Sequence, residues 1–377
     1  MNCEKKFLSR LTLIVLLSTG IANALVAANP FVGKYAMLFL PVKKLVVYRT
    51  AKPLVIDGKA NEKAWKQTPW SNLFVAIGGA EKSAPLYQTR VKILWDSRYL
   101  YVLAKMQEPQ IWAYMNEPDQ LIYHENDFEL FIDPDGNAQD YFEFEVNARN
   151  NLFDLFLPKP YRDGGKPLLA YHALGFKSAV QLDGTLNDPS DRDKYWQLEL
   201  RIPFEDLRSG EVSVCPNEGD QWRIDFSRVE WQTGIKNGKY VRKKNTIDGH
   251  LLPQYNWVWS APGIVSMHAP ERYGLVQFSK KEAGHGKTVF HDRLKDQLSP
   301  YLWLIYYKEQ DWKKMHGVYT QELNVLGIVN GKSWTPKVNV SLQIESTSVQ
   351  FTVFLNYKGK LFFSLNNEGW LKGPVNP

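Results

Sequence analysis

Apolar and polar residues alternate with a period of two through most of residues 46–280, in short stretches broken by Gly, Pro, Asp and Asn. This pattern is typical of antiparallel strands that bury one face. The sequence therefore predicts a mainly β protein whose residues 46–280 form an antiparallel two-sheet β-sandwich. Short helical turns are predicted near Asn61–Gln67 and Phe204–Leu207. The clearest predicted strands are Val91–Trp95, Leu100–Met106, Asp127–Asp133, Tyr141–Asn147, Tyr195–Ile202 and Gln221–Val229.

The alternation is interrupted near Ser279–Lys287, so residues 281–377 are predicted to form a C-terminal helix and a small β extension. The helix is predicted over Pro300–His316, because Pro fits the first turn of a helix and Gly317 is suited to end one. The three strands of the extension are predicted at Val338–Glu345, Val349–Asn356 and Leu361–Asn366.

Residues 1–28 have the order of a secretory signal peptide: a basic start, the apolar run Leu11–Leu17 and small residues at the end. That run is too short to span a bilayer. Residues 29–45 are interpreted as a leader segment. We expect an exported protein of the periplasm, cell surface or extracellular space, with no transmembrane segment in the mature chain. Its one remaining cysteine, Cys215, leaves no intramolecular disulfide.

The charge balance of the predicted sandwich argues against nucleic acid as a partner. Residues 29–280 carry 31 basic and 31 acidic residues, whereas phosphate binding requires a clustered basic excess. Tryptophan is abundant, with 13 residues in the chain and 9 of them in this segment. Most belong in a core, but the surplus suits a protein that stacks aromatic rings on flat ligand faces.

The most informative pattern lies in two neighbouring predicted strands, Asp127–Asp133 and Tyr141–Asn147. Alternation places six apolar side chains on one face, which we assign to the core: Phe128, Leu130, Ile132, Phe142, Phe144 and Val146. The opposite face then carries Asp127, Glu129, Glu143, Glu145 and Asn147. Symmetrical pairing about the loop sets Glu129 opposite Glu145 and Asp127 opposite Asn147.

Opposed like charges destabilise a sheet, so this acidic face needs compensation. A basic neighbour such as Arg223, a metal ion, or ligand hydroxyls that donate to carboxylates are the three candidates. A solvated face with ion pairs is the alternative. Paired carboxylates also occur in glycoside hydrolases, which keeps an enzyme acting on polysaccharide as a second hypothesis. The chain lacks a Ser-His-Asp order, a zinc motif and a phosphate loop, so catalysis is the weaker interpretation.

Two further segments have weaker chemical signals. The loop Asp133–Asp140 offers oxygen ligands at alternate positions but lacks the closing glutamate of a calcium loop, and the same residues are common in turns. Calcium is therefore not assigned to residues, no other cofactor is expected, and the metal ligands stay unknown. The Met267–His268 pair contains two haem ligand types, so a haem-binding sandwich is a third hypothesis.

Taken together, seven short motifs in order resemble the family 9 carbohydrate-binding modules, specifically the family-9-like domains of exported bacterial proteins. They lie between about Leu54 and Ser279. The motifs are Ile56–Gly58 with Trp65, Leu94–Asp96 with Tyr99–Val102, Asp127–Gly136, Tyr141–Asn147, Trp196–Phe204, Gly219–Arg228 and Pro270–Gly274.

The resemblance implies a β-sandwich that binds glycan on one polar face, where two tryptophans hold a sugar ring and Glu, Arg and Asn bind its hydroxyls. Tyr123 stands at one tryptophan position, and Met267 stands at the other. Glu129 and Asn147 match the Glu and Asn, whereas Glu145 occupies the Arg position. With the adjacent His268, these residues are the predicted carbohydrate-binding set. The implied ligand is an oligo- or polysaccharide, and the implied partners are separate glycan-degrading enzymes.

Overall fold

The computed structural model describes residues 32–79, 82–208, 215–328 and 340–373. The predicted signal peptide lies outside these residues. Two compact units are present. The first unit is Val42–His291, and the second combines the described residues up to Pro41 with those from Asp292 onward. Among the described residues, no helix is both long and apolar enough to cross a membrane.

The first unit is built almost entirely from strands. Its strands are β1 (Lys44–Arg49), β2 (Val75–Ala76), β3 (Thr89–Trp95), β4 (Tyr99–Gln107), β5 (Asp127–Asp133), β6 (Tyr141–Asn147), β7 (Leu152–Leu157), β8 (Lys177–Asp183), β9 (Tyr195–Pro203), β10 (Gln221–Glu230), β11 (Thr233–Lys236), β12 (Lys239–Arg242), β13 (Tyr255–Val258) and β14 (Gly274–Glu282). Its helices are α1 (Lys63–Gln67) and the 3-10 turns Ile122–His124, Tyr161–Asp163, Phe204–Leu207 and Pro270–Arg272.

Twelve of these strands form one large sheet, with the order β7-β6-β5-β10-β14-β1-β3-β4-β9-β8; β13 pairs with β10 and β2. The remaining two, β11 and β12, form a separate hairpin. The prediction of purely antiparallel pairing is wrong at one strand. Strand β1 runs parallel to both β14 and β3, because it fills the gap between them and its direction is set by those distant partners.

The sheet curls over a large apolar core. Val91 and Leu198, from one end of the strand order, enter the same buried cluster as Leu130, Phe144 and Phe226 from the other end. Burial of large apolar side chains, each worth roughly 1.5–3 kcal/mol, supplies the stability of a chain without a disulfide among its described residues. The predicted mainly β character is confirmed, and all six predicted strands are present within two residues of their expected bounds.

The second unit contains the helix α2 (Leu294–His316), six residues longer at its start than predicted. Pro300 lies inside this helix and not in its first turn. The predicted end is confirmed, because Gly317 adopts φ 80° and donates its N–H to the Lys313 carbonyl at 2.7 Å. The 3-10 helix Gly33–Phe39 packs against α2 through the stacked rings of Tyr35 and Tyr307, 5.5 Å apart.

Four strands complete the second unit: β15 (Val340–Ser346), β16 (Phe351–Tyr357), β17 (Lys360–Asn366) and β18 (Leu371–Lys372), paired in that order. Three of them were predicted. The fourth is only two residues long, too short for alternation to reveal. The predicted start of the first strand at Val338 lies outside the described residues, which resume at Val340.

Candidate functional site

The hairpin of β5 and β6 has the register that its sequence predicts. Glu129 pairs with Glu145, and Asp127 pairs with Asn147. The six apolar side chains of the opposite face all belong to the main core. This register fixes the carboxylates as neighbours, since adjacent strands hold directly opposed side chains about 4.5–5.5 Å apart at their Cβ atoms.

The acidic face is buried, so the alternative of a solvated face is wrong. Asp127 is fully buried, and Glu129, Glu143 and Glu145 are only 6%, 3% and 3% exposed. A second apolar cluster, which includes Phe131, covers this side of the hairpin. The physical reason is that the segments containing Tyr123, Tyr161 and Met267, which lie outside the strands, surround this face. Alternation within the strands does not reveal their position.

These loops leave a concave opening of about 580 Å³ above the hairpin, which we call the acidic pocket. Its floor is formed by Glu129, Glu143 and Glu145. Its walls and rim are mainly apolar and aromatic. The wall and rim residues are Ile77, Leu121, Tyr123, Phe131, Phe153, Leu155, Tyr161, Pro167, Leu169, Val229, Gln254, Asn256, Val265, Ser266, Met267 and His268. The volume lies within the range of small-molecule sites, roughly 300–1,000 Å³.

Five of the six predicted binding residues meet at this pocket: Tyr123, Glu129, Glu145, Met267 and His268. The sixth, Asn147, is fully buried outside its lining. The Asn147 side chain donates to the Met115 carbonyl at 2.9 Å and accepts from the backbone N–H groups of Arg149 and Asn151. Asn147 therefore fixes the loop beside the pocket, and both polar ends of its amide are already engaged.

Tyr123 lies in the 3-10 turn Ile122–His124, half-buried at the pocket wall. Its backbone N–H donates to Glu145 Oε2 at 3.2 Å, and its carbonyl accepts from the Trp231 indole at 2.9 Å. Glu125 holds the same loop by accepting from the backbone N–H groups of Tyr114 and Met115. These hydrogen bonds to the backbone of Tyr123 and to the neighbouring loop fix the position of the Tyr123 ring at the pocket wall.

The opposite wall contains Met267, His268 and Tyr161. His268 Nδ1 lies 2.9 Å from the Tyr141 hydroxyl, and its ring meets the Tyr161 ring edge-on at 4.4 Å. Burial, with the nearby Arg162 guanidinium, lowers the pKa of His268 to about 4, so its ring is neutral near pH 7. Sequence reasoning missed Tyr161, which is 44% exposed. Its only signal was an aromatic residue in a Pro- and Gly-rich loop directly after a strand.

The floor carboxylates have raised pKa values. Burial raises the pKa of Glu129 to about 7, an effect partly offset by the nearby Ser227 hydroxyl. Burial and the charge of Glu129 raise the pKa of Glu143, and burial with the charge of Glu143 raises that of Glu145. Asp127, beneath the floor, has a raised pKa for the same two reasons, burial first and then Glu129. Burial and mutual repulsion therefore act together here.

Arg223 does not lie beside the opposed glutamates. It pairs in register with Asp133, at the other end of β5, and donates to the Tyr273 carbonyl. The β10 residue next to Glu129 is the neutral Ser227. The prediction that Arg223 offsets the charge of the opposed glutamates is therefore wrong. The register places Arg223 beside Asp133, four residues from Glu129 along β5.

The loop after β5 is a hydrogen-bonded turn. Asp133 accepts from the backbone N–H groups of Gly136 and Ala138, at 2.8 and 2.9 Å. Two groups of three acidic or histidine residues, both outside this loop, have the spacing of a metal site among the described residues. In each group, one ligand atom from every residue lies within 4.8 Å of the other two. One consists of the buried Asp127, Glu129 and Glu145, and the other of Asp119, Asp154 and His172, of which only Asp154 is buried.

Comparison with known proteins gives a family match over the segment that carries this hairpin. Residues 56–157 match the family model described as "Carbohydrate family 9 binding domain-like". This range includes β3 to β7 and therefore the whole floor of the acidic pocket.

Curated relatives include endo-1,4-beta-xylanase A of Thermotoga maritima, 31% identical over 34% of this chain and 11% of that protein. Endo-1,4-beta-xylanase C of Paenibacillus barcinonensis is 29% identical over 66% of this chain and 18% of its own length. The matches thus span less than a fifth of these relatives.

Among solved structures, a family 9 carbohydrate-binding module from Caldicellulosiruptor kristjanssonii in complex with cellotriose is similar, with 19% identity and a TM-score of 0.37. The match covers 66% of this chain and 99% of that one. From the family match and the seven motifs, we conclude that this chain contains a family 9 carbohydrate-binding module-like domain.

Proposed function

We propose that this protein binds an oligo- or polysaccharide in the acidic pocket. The observation that carries the proposal is that five residues predicted from the sequence converge on one opening, with carboxylates on its floor and aromatic rings at its walls. Carboxylates accept hydrogen bonds from sugar hydroxyls more strongly than neutral groups do. Aromatic and apolar walls cover the C–H faces of a sugar ring.

The floor supplies acceptors that the protein itself leaves unused. Oε2 of Glu129 and Oε2 of Glu143 have no hydrogen-bond partner. A buried acceptor without a partner costs about 1–3 kcal/mol, which a ligand hydroxyl recovers when it donates. The wall supplies the second half of the recognition, because Tyr123 and Tyr161 present rings and His268 a neutral imidazole.

The wider role is part of the same proposal. We infer that the curled sheet acts as a two-layered sandwich and that the protein is exported, to the periplasm, the cell surface or beyond. We further propose that it assists separate polysaccharide-degrading enzymes. The support is that the curated relatives are xylanases and that the matched segment forms only a small part of each.

Glycan binding is tested with an oligosaccharide panel and titration calorimetry on the parent, Tyr123→Ala and Tyr161→Ala. The hydrogen bonds of Tyr123 described above run through its backbone, so Tyr123→Ala removes the ring and retains them. We expect each variant to lower affinity by about 10-fold, since that ratio corresponds to about 1.4 kcal/mol of lost ring contact.

The matched control is Trp370→Ala, which removes an exposed aromatic ring in the second unit. Its affinity should equal that of the parent. A parent that binds no glycan, or equal binding in all four proteins, contradicts the proposed site. Release of reducing sugar by the parent would instead favour the glycoside hydrolase hypothesis, with the floor glutamates as the reacting groups.

A further inference from the structure

The floor of the acidic pocket has the geometry of a cation site. One carboxylate oxygen from each of Asp127, Glu129 and Glu145 lies within 4.8 Å of the other two. Oxygens that surround one calcium ion at 2.3–2.6 Å are separated by at most about 5 Å. The β5–β6 register produces this arrangement, because Glu129 faces Glu145 while Asp127 precedes Glu129 by two residues on the same face.

An independent observation comes from Glu143, which is not one of the three. Its side chain is 3% exposed, lines the same pocket and has Oε2 without a hydrogen-bond partner. Both carboxylate oxygens of Asp127 also have no partner. Three carboxylates therefore line a pocket whose described lining contains no lysine or arginine, and the Asp127 carboxylate lies close to two of them. A buried anionic cluster of this kind requires a positive partner or protons.

We propose that Asp127, Glu129 and Glu145 bind a hard divalent cation, with calcium as the best fit, at the floor of the acidic pocket. Three carboxylates match the preference of calcium for oxygen ligands. Calcium also tolerates irregular coordination, whereas magnesium requires a nearly ideal octahedron, so calcium fits this cluster better. Glu145 also accepts the Tyr123 N–H through Oε2, which holds its carboxylate in place at the floor. Asp127 holds the ion from beneath, and the open side of the pocket leaves the remaining positions for water or ligand oxygens.

The site also bears on glycan recognition, a step that rests on the proposed function. Glu145 stands where the family resemblance places an arginine, so a cation beside it restores positive charge at that position. Sugar hydroxyl oxygens that enter from the open side then coordinate the ion through their lone pairs, while Tyr123 and Tyr161 contact the ring faces.

The test starts with chelator-treated full-length protein, titrated with calcium chloride and, separately, magnesium chloride by calorimetry. We expect one calcium ion per chain, weaker magnesium binding and a higher melting temperature with calcium. Glu145→Gln and Asp127→Asn preserve shape and should each lower calcium affinity at least about 10-fold. The control Asp119→Asn alters the other three-ligand group and should leave affinity unchanged. Sensitised terbium luminescence gives a second readout in each variant.

The cation site is overturned if the parent binds no calcium. It is also overturned if Asp119→Asn loses calcium binding while Glu145→Gln retains it. Glycan titrations with and without chelator separate this inference from the proposed function. A parent that binds glycan equally under both conditions and binds no calcium contradicts only the cation site. Calcium binding without any glycan binding supports the cation site and contradicts the proposed function.

Discussion

Strand β10 separates two clusters of buried carboxylates that solve the same electrostatic problem differently. On one face, Arg228 is 1% exposed and donates to Glu108 Oε2 and Glu230 Oε2, both at 2.8 Å. On the other face, Ser227 adjoins Glu129 at the floor of the acidic pocket. The first cluster contains its own cation, whereas the second consists of carboxylates and neutral neighbours.

The Arg228 cluster is satisfied by further protein contacts. Arg228 also donates to the Gln107 carbonyl at 2.8 Å, and its guanidinium lies 5.2 Å from the Trp257 ring centroid. Burial and the charge of Glu230 raise the pKa of Glu108, and the guanidinium opposes that rise. Such a network is structural, because every charge has a partner. The acidic pocket has buried acceptors without partners and an opening to solvent, which indicates a site for a ligand.

The largest predicted effect tests the satisfied cluster. Arg228→Met should lower the free energy of unfolding by about 3–5 kcal/mol, because two buried carboxylates lose their cation. Adding Glu108→Gln and Glu230→Gln to the same chain should recover much of that loss. The measurement is chemical denaturation followed by tryptophan fluorescence. A loss below about 1 kcal/mol would show that the Arg228 pairs contribute no more than surface ion pairs do.

A smaller effect is expected from a buried carboxylate in the second unit. Glu309 is fully buried in α2; its Oε2 accepts from the Thr320 N–H at 3.2 Å, and its Oε1 has no partner. Burial raises the pKa of Glu309 to about 7. Because the folded-state pKa exceeds the ordinary value, the contribution of Glu309 to stability is present below about pH 4.5 and is lost as the pH rises through 7.

The difference in stability between the parent and Glu309→Gln isolates this group. Between pH 5 and pH 8 the parent should lose about 2 kcal/mol relative to the variant, following the linkage between pKa and stability. Denaturation of both proteins across this pH range measures the difference. A difference that stays constant with pH would contradict a raised pKa in the folded state.

Sequence alone was sufficient for the hairpin because alternation has a direct physical meaning. A period of two assigns Phe128 and Phe144 to the core and Glu129 and Glu145 to the other side, and symmetrical pairing sets the register. Both assignments are confirmed. The end of α2 was also predictable, because Gly317 tolerates the left-handed conformation that a helix end needs.

The burial of the acidic face could not be predicted in this way. It depends on where the loops with Tyr123, Tyr161 and Met267 fold, and tertiary packing determines their paths. The parallel pairing of β1 depends likewise on β14, which lies at the far end of the same unit. Arg223 and Arg228 are both basic residues of β10, and strand patterning alone did not reveal which would lie beside the carboxylates.

The smallest predicted effect is an increase in stability, and it is the most direct test of the difference between the two carboxylate clusters. Glu143 contributes a buried carboxyl group to the acidic pocket without being one of the three proposed cation ligands. In chelator-treated protein at pH 8, Glu143→Gln should raise the free energy of unfolding by about 1 kcal/mol, because a carboxyl group whose pKa is raised by burial destabilises the fold at a pH above its ordinary pKa. The exposed Glu117→Gln is the matched control and should change stability by less than about 0.5 kcal/mol.

Destabilisation by Glu143→Gln would mean that its carboxylate is satisfied within the protein, as those of Glu108 and Glu230 are, and the contrast between the two faces of β10 would disappear. Stabilisation would show that the fold retains an unfavourable buried carboxyl group at the pocket, which is the expected cost of a site organised for a ligand.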